Sequence, residues 1–109
     1  MRIYISGPIT GTTGYMRRFE WTEAIWKDLG AEVVNPAKIN SYLPETTTHS
    51  EYMVTSIAML KICDTIYMLQ GWEHSKGARQ EYRYARKHGY QILFEGQCSV
   101  IMGITEAEA

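Results

Sequence analysis

Residues 71–81, Gly-Trp-Glu-His-Ser-Lys-Gly-Ala-Arg-Gln-Glu, join the apolar run at 65–69 to a helical pattern at 78–88. A strand that ends at a glycine and leads into a helix of small first residues leaves several backbone N–H groups without partners. Those groups and the helix dipole favour a bound anion. Glu81 shares a helix face with Ala85, and this face is predicted to pack on a sheet. A carboxylate on a packing face needs either a polar partner or a chemical role.

Strands and helices alternate along the whole chain. The predicted strands are 2–6, 32–35, 65–69 and 90–94, and the predicted helices are 15–29, a segment from the capping box Thr48–Glu51 to Cys63, and 78–88. Residues 37–47 show no period and are predicted to be an irregular excursion, and 99–103 fit either a strand or a short helix. This pattern predicts an α/β fold with a central parallel sheet of four to five strands. The ligand crevice is then expected where the loops 6–14 and 71–77 leave the strands.

The composition indicates a single domain, 1–109, whose hydrophobic fraction of 45% places it among globular proteins. The formal net charge of −1 and the absence of a basic run argue against a nucleic-acid polymer as partner. No signal peptide and no apolar run of membrane-spanning length is recognisable, so a cytoplasmic protein without a membrane partner is predicted. Cys63 and Cys98 lack the spacing of a metal site, so reduced thiols and no metal are expected.

Four features carry candidate chemistry, and each has a purely structural alternative. Ser75 with the amides near Gly77 could hold a phosphate or carboxylate, or Ser75 could only cap the helix. Glu81 could act as a general acid, a base or a nucleophile, or it could pair with a neighbouring arginine. Tyr4 could hydrogen bond to Glu81 or simply fill the core. Trp72 could stack on a base or close its loop.

Three motifs, by their order and spacing, resemble the nucleoside 2-deoxyribosyltransferase superfamily. They are Tyr-Ile-Ser-Gly-Pro-Ile-Thr-Gly at 4–11, Cys-Asp at 63–64 before an apolar strand, and Gly-Trp-Glu-x-Ser-x-Gly-Ala-x-x-Glu-x-x-x-Ala at 71–85. The likeness is closest to a small, often phage- or prophage-borne branch similar to 2′-deoxynucleoside 5′-phosphate N-hydrolases. It extends over residues 1–95.

The resemblance implies a flavodoxin- or Rossmann-like three-layer sandwich that forms a homodimer or larger homo-oligomer and uses no cofactor. It implies that Glu81 is the nucleophile that attacks C1′ of a 2-deoxyribose, and that Tyr4 orients this carboxylate. With the loop positions above, the expected substrate-binding residues are Gly7, Pro8, Ile9, Thr10, Gly11, Ser56, Trp72, Ser75 and Gly77.

Ser75 bears on the choice of substrate within this family. Transferases that act on free nucleosides carry an aspartate six residues before the nucleophile, whereas the N-hydrolase-like branch carries a serine that holds the 5′-phosphate. Ser75 occupies that position here. An aspartate would repel a phosphate, while a serine and free amides bind it, so the resemblance favours a 2-deoxynucleoside 5′-monophosphate.

Two positions depart from the N-hydrolase-like pattern. Ser56 stands where those hydrolases carry a second acid, and a serine cannot protonate a departing base as an aspartate can. Thr10 stands where they carry an arginine. The candidate replacements are Glu73 or Glu51 for the acid and Arg17 or Arg18 for the cation, and Ser99 is a weak match to a residue that completes a neighbouring subunit's phosphate pocket.

The predicted function is cleavage or transfer at the N-glycosidic bond of a 2-deoxynucleoside 5′-monophosphate through Glu81. The alternative is a non-catalytic nucleotide-binding or sensing module that uses the same pocket, since Ser56 replaces the second acid. A third possibility is a small interaction protein, because eight Tyr and three Trp are many for this length and could cover an interface.

Overall fold

The computed structural model describes residues 1–9 and 11–97. Its elements are β1 (Arg2–Ser6), α1 (Tyr15–Asp28), β2 (Glu32–Val34), α2 (Pro36–Asn40), α3 (His49–Leu60), β3 (Thr65–Met68), a 3-10 turn (Trp72–His74), α4 (Lys76–Lys87) and β4 (Gln91–Phe94). All predicted strands and helices up to residue 94 are present, with ends close to the expected ones. Thr10, Cys98, Ser99 and the segment predicted at 99–103 lie outside the described residues.

The four strands form one parallel sheet in the order β2-β1-β3-β4. The predicted α/β class and the parallel sheet of four to five strands are therefore confirmed. From β1 the chain adds β2 towards one edge of the sheet, and β3 and β4 are added towards the other edge, so a switch point lies between β1 and β3. Ligands of open α/β sheets bind at such a switch point, beyond the carboxyl ends of the strands. No helix in the described ranges is both long and apolar enough to cross a membrane.

Alternate residues of β1 build two different cores. Ile3 and Ile5 point to the face covered by α1, where they pack with Trp26 and its neighbours. Tyr4 and Ser6 point to the opposite face, which α3 and α4 cover, and both are buried. The members of the α1 core are Ile3, Ile5, Phe19, Trp26, Ala37, Tyr67 and Leu69. The apolar members on the other face are Tyr4, Leu60, Cys63, Ile66, Met68, Ala78 and Ala85.

The short helix α2 corrects the prediction that residues 37–47 are irregular throughout. Asn35 caps it, because its side chain accepts a hydrogen bond from Lys38 N at 3.1 Å, and Pro36 takes the first helical position. The Asn-Pro pair therefore starts a helix as well as ending a strand. Residues 41–47 contain no helix or strand, as predicted. The helix matters because it brings Asn40 against α3.

Gly7 allows the carboxyl ends of β1 and β3 to touch. A Cβ at this position would lie only 2.8 Å from Leu69 Cβ. Leu69 N donates to the Ser6 carbonyl at 2.8 Å, which extends the pairing of the two strands to their last residues. A side chain at Gly7 would force these strand ends apart, and Ser6 would move with them.

Candidate active site

The Glu81 carboxyl group is buried, and each of its oxygens accepts one hydrogen bond. Tyr4 Oη donates to Oε2 at 2.6 Å, and Ser6 Oγ donates to Oε1 at 2.6 Å. Glu81 is 7% exposed, and both hydroxyl groups belong to residues with 1% or less of their surface exposed. The predicted hydrogen bond between Tyr4 and Glu81 is therefore present, and hydroxyl groups take the place of the arginine partner considered above.

The local sequence explains how these three side chains meet. Tyr4 and Ser6 are two residues apart in a strand, so both point to the face covered by α4. On α4, Ala78, Glu81 and Ala85 recur at helical spacing and are its buried residues. The small alanine side chains let the helix approach the sheet closely, so the Glu81 side chain reaches β1.

The surroundings of Glu81 change its acidity. Burial raises the pKa of Glu81 to about 7, while the hydrogen bonds from Ser6 and Tyr4 act in the opposite direction. Burial and the neighbouring Glu81 raise the pKa of Tyr4 well above its usual value, so Tyr4 keeps its proton and remains a donor at neutral pH. A carboxyl group that titrates near neutrality in a water-poor site is suited to act as a nucleophile or a base.

Ser56 and Asn40 form a second hydrogen-bonded group on the same side of the sheet. Asn40 Nδ2 donates to Ser56 Oγ at 3.2 Å, and Thr55 Oγ1 lies 3.0 Å from Asn40 Oδ1. Burial is the main cause of the raised pKa of Tyr4, and the nearby Ser56 hydroxyl acts in the opposite direction. The side chain of Asn40 in α2 is thus fixed against α3, on the side of the sheet that holds Glu81.

A cavity of about 320 Å³ adjoins this network, and its volume lies in the range of small-molecule sites. It opens among β1, the loop after β1, and all four helices. The predicted site residues that line it are Tyr4, Gly7, Ile9, Ser56, Ser75, Gly77 and Glu81. Its remaining wall includes the aromatic side chains of Tyr15, Phe19 and Tyr52, which offer apolar surface to a ligand.

The first turn of α4 forms one wall of this cavity. Ser75 Oγ caps the helix by accepting from Ala78 N at 3.2 Å, so its hydroxyl hydrogen is not used in the cap. A Cβ at Gly77 would lie 3.3 Å from Met53 Sδ and 3.7 Å from His49 Cε1. The imidazole of His49, at the start of α3, therefore lies beside the amino end of α4, where first-turn amides lack intrahelical partners.

Trp72 lines a different cavity from the one beside Glu81. Its ring lies 4.6 Å from the ring of Tyr82 and 6.1 Å from that of Phe94, measured between centroids. It lines a second cavity, of about 390 Å³, at the ends of β3 and β4. Pro8 and Gly11 belong to the predicted loop but do not line the cavity beside Glu81.

Neither acid considered as a replacement for the second carboxylate lines the cavity beside Glu81. Glu51 Oε1 accepts from Thr48 N at 2.8 Å, within the predicted capping box of α3. Glu73 lines the second cavity with Trp72. Within the described part of the chain, the titratable side chains that line the first cavity are Tyr4, Tyr15, His49, Tyr52 and Glu81.

The two arginines considered for phosphate binding also lie elsewhere. Arg18 Nη2 donates to Glu95 Oε1 at 2.7 Å and to the Gln70 carbonyl at 2.8 Å, so its charge is already paired. Arg17 lines a separate surface cavity on α1. Neither belongs to the wall formed by Ser75 and Gly77.

Three residues of the site were missed by sequence reasoning. Ser6 could have been found, because it follows Tyr4 by two residues and therefore shares its face of β1. Asn40 carried no signal, since its position depends on a helix that the sequence did not predict. His49 lies inside the capping box that begins α3, and the sequence there indicates only the start of a helix.

The chain belongs to the family described as Domain of unknown function (DUF4406), whose model matches residues 1–94. Among solved structures, it is similar to a 2-deoxyribosyltransferase from the psychrotolerant bacterium Bacillus psychrosaccharolyticus, described as a biocatalyst for the synthesis of nucleosides. The TM-score is 0.68 at 15% sequence identity, and the match covers 86% of this chain and 71% of that chain. The two proteins therefore share a fold. No curated protein is significantly similar to the chain in sequence.

Proposed function

We propose that this member of the DUF4406 family cleaves or transfers the N-glycosidic bond of a 2-deoxynucleoside 5′-monophosphate, with Glu81 as the nucleophile. The observation that carries the proposal is the Glu81 carboxyl group, which lines the cavity and is held by two hydroxyl donors at 2.6 Å. The fold shared with a 2-deoxyribosyltransferase supports the same class of reaction.

The chemistry proceeds in two displacements at C1′ of the sugar. A Glu81 oxygen attacks C1′, the bond from C1′ to the base nitrogen breaks, and the base departs with the bonding electron pair and takes up a proton. The sugar is then an ester of Glu81. Water or a second base attacks C1′, loses a proton and releases the carboxylate. Positive charge develops on the sugar in both transition states, and the adjacent carboxylate stabilises it.

Tyr4 and Ser6 prepare Glu81 for this role. Each hydroxyl group occupies one lone pair of one oxygen, which holds the carboxylate in a single orientation and leaves other lone pairs for C1′. With a pKa of about 7, a large fraction of Glu81 is ionised at neutral pH, although burial disfavours the charge. Its higher basicity makes it a stronger nucleophile than a solvated carboxylate.

The 5′-phosphate is proposed to bind at the amino end of α4. The Lys76 and Gly77 amides and the helix dipole attract an anion there, and the Ser75 hydroxyl can donate to it. His49 lies beside Gly77, so its imidazole is placed to contact the phosphate. In this proposal His49 provides the contact that was expected from Arg17 or Arg18.

Release of free base from nucleotides tests the proposed reaction. Wild type and Glu81→Gln are incubated with the four deoxynucleoside 5′-monophosphates, their ribose counterparts and the matching nucleosides, and free base is measured by chromatography. We expect release by wild type alone, and an acid-quenched reaction should yield the Glu81 peptide with the mass of the added sugar phosphate. Equal background rates for the two proteins on every substrate would refute the nucleophilic role.

Ser75→Asp tests the phosphate preference without removing the helix cap, because aspartate also caps helices well. We expect it to weaken the use of nucleotides and to spare or improve the use of nucleosides. A variant with an unchanged ratio between the two substrates would contradict phosphate binding at this position.

One observation favours the alternative, a nucleotide-binding or sensing module. The cavity has no second carboxylate among its lining residues in the described chain, because Ser56 occupies the expected position. Such a module would show saturable nucleotide binding by calorimetry with no release of base. Turnover that depends on Glu81 would exclude it.

Assembly into a homodimer or larger homo-oligomer stays a prediction. It is supported by apolar side chains on the surface, since Val54 of α3 is 72% exposed and Ile62, just after α3, is 59% exposed. Light scattering coupled to size-exclusion chromatography measures the mass directly, and a monomer at micromolar concentration would contradict the prediction.

A further inference from the structure

We propose that the outward face of α4 binds the phosphate backbone of a nucleic acid. The face carries a row of basic side chains, called the basic stripe below: Lys76, Arg79, Arg83, Arg86 and Lys87. It lies on the other side of the helix from Glu81. The inference therefore goes beyond the proposed reaction and does not depend on it.

The helical period gathers cations that are separated in the sequence. With 3.6 residues per turn, the whole basic stripe falls within an arc of about 100° of the helix surface. This arc lies roughly opposite Ala78, Glu81 and Ala85, the buried residues of α4. The expectation that the protein has no nucleic-acid partner rested on the absence of a basic run, whereas the helix brings the separated cations together.

The charges of the basic stripe have no carboxylate partners. Within residues 1–9 and 11–97, none of its side chains forms an ion pair, and the one acid on α4 is the buried Glu81. Arg79 Nη1 donates to the Glu73 carbonyl at 2.8 Å, which leaves its charge uncompensated. Like charges four residues apart on a helix repel, as at Arg83 and Lys87, so a bound anion would relieve this repulsion.

The basic stripe also stands out from the charge of the whole chain. The formal net charge of the chain is −1, although α4 carries five cations and one acid. Positive charge is therefore concentrated on this surface, and the rest of the chain is acidic on balance. Such an asymmetric distribution directs an anionic partner to one face of a protein.

The outward face of α4 lacks the apolar side chains that a protein or a membrane would bind. The exposed large hydrophobic residues of the described chain all lie outside α4. Protein interfaces are built around buried apolar and aromatic anchors. Membrane-surface helices insert an apolar face, but that of α4 is already packed on the sheet. A phosphate backbone needs only charge and hydrogen bonds, so it fits this face best.

The length of the basic stripe matches a short stretch of nucleic acid. At a rise of about 1.5 Å per residue, the stripe extends about 16 Å along the helix. A DNA strand in a duplex carries one phosphate per about 3.4 Å of axis, so about five phosphates span this length. The arginines can each donate two N–H groups to one phosphate. Because these contacts are to the backbone, binding is expected to be independent of base sequence.

The test is fluorescence anisotropy with end-labelled DNA of about 24 nucleotides, single-stranded and duplex, in two unrelated sequences and over a range of salt concentrations. We expect wild type to bind both sequences equally, with a slope of log K against log salt of about −3 for the single strands. In the double variant Arg83→Gln, Lys87→Gln, this slope should shrink by about 1.4, and the affinity at about 50 mM salt should fall at least tenfold. Arg83→Gln alone should show about half of the change in slope.

The matched control is the double variant Arg17→Gln, Lys61→Gln, which also loses one arginine and one lysine at exposed positions, in α1 and just after α3. It should bind DNA as wild type does. Equal losses in the two double variants, or no binding by wild type at the lowest salt concentration, would overturn the proposal. Binding to vesicles that contain phosphatidylserine, without binding to DNA, would overturn it as well.

Two further measurements separate this proposal from the proposed reaction. Glu81→Gln should bind DNA as wild type does, so a protein that releases no base can still confirm the basic stripe. An excess of a deoxynucleoside 5′-monophosphate should not displace the DNA, because the cavity and the stripe are different surfaces. Displacement at constant ionic strength would place the DNA in the cavity and refute the role of the stripe.

Discussion

The two faces of the sheet are built from alternate residues of the same strands, yet they differ in what they bury. On the α1 face, Ile3 and Ile5 of β1 meet aromatic and aliphatic side chains. On the α4 face, Tyr4 and Ser6 of β1 meet the Glu81 carboxyl group, and hydrogen bonds take the place of apolar contacts. One face serves stability, and the other face holds a polar network at the switch point of the sheet.

The polar residues on the α4 face can be buried because their polar groups have hydrogen-bond partners. A buried hydroxyl group or carboxylate without one costs stability, whereas the apolar face has no such requirement. The apolar face also contains a buried unsatisfied donor, since Trp26 Nε1 has no hydrogen-bond partner among residues 1–9 and 11–97.

The largest effect is expected on the apolar face. Trp26 packs edge-on against Tyr67, with ring centroids 5.5 Å apart, and Trp26→Ala should lower the free energy of unfolding by about 3–5 kcal/mol because it leaves a cavity. Trp26→Phe should cost much less, since it also removes the unpaired N–H group. Chemical denaturation measures both. The pKa of Glu81 should stay unchanged in the folded variants. A changed pKa would mean that packing on the α1 face affects the α4 face.

Next in size is a pH-dependent effect on the polar face. Burial raises the pKa of Glu81 to about 7 from an ordinary value of 4.5, so the folded protein holds this proton more tightly than the unfolded chain does. The stability contributed by the protonated form is fully present below pH 4.5 and is lost as the pH rises through 7. The loss amounts to about 3 kcal/mol.

Glu81→Gln isolates this contribution, because glutamine keeps the shape of the side chain and does not titrate. The variant should gain stability relative to wild type as the pH rises from 4.5 to 7, although it loses the proposed nucleophile. The measured quantity is the difference in free energy of unfolding between the two proteins at each pH, which cancels the other titrating groups. A difference that does not change with pH would show that Glu81 is not destabilised by burial.

The smallest effect is expected at the edge of the polar face. His49 is exposed and lies beside Gly77, so His49→Ala should raise KM for deoxynucleotides about fivefold, equivalent to about 1 kcal/mol, and leave KM for nucleosides unchanged. The increase should shrink at high salt, because exposed charges are screened. His74→Ala makes the same change at an exposed position of the 3-10 turn and should have no effect. Equal effects on both substrates would mean that His49 does not act on the phosphate.

Much of this fold could be predicted, because the signals that specify it are local. Four short apolar runs, a capping box at Thr48 and glycine stops such as Gly30 predict the strands and every helix except α2, with ends within three residues of the observed ones. The helix α2 was not predicted, because its only sequence signal is the helix start formed by Asn35 and Pro36. The site was predictable to the extent that the strand period and the helix period place Tyr4 and Glu81 on facing sides.

The contents of the cavity wall were harder to predict. Trp72 carried an aromatic side chain at an expected position, but the 3-10 turn directs it towards Tyr82 and Phe94. Arg18 looked available in the sequence, but Glu95, distant in the chain, pairs with it. Side-chain direction in loops and pairing between distant residues depend on tertiary packing, and no local pattern encodes them.

Local patterns in the sequence specify the order of strands and helices and place an unusual carboxylate, Glu81, on a packing face, because propensity and periodicity act over a few residues. The surroundings of that carboxylate depend on tertiary packing. It brought Ser6 to the second oxygen, set Asn40 against Ser56 and moved His49 to the amino end of α4. Each of these contacts joins two separate elements, so each exists only once the helices have packed on the sheet.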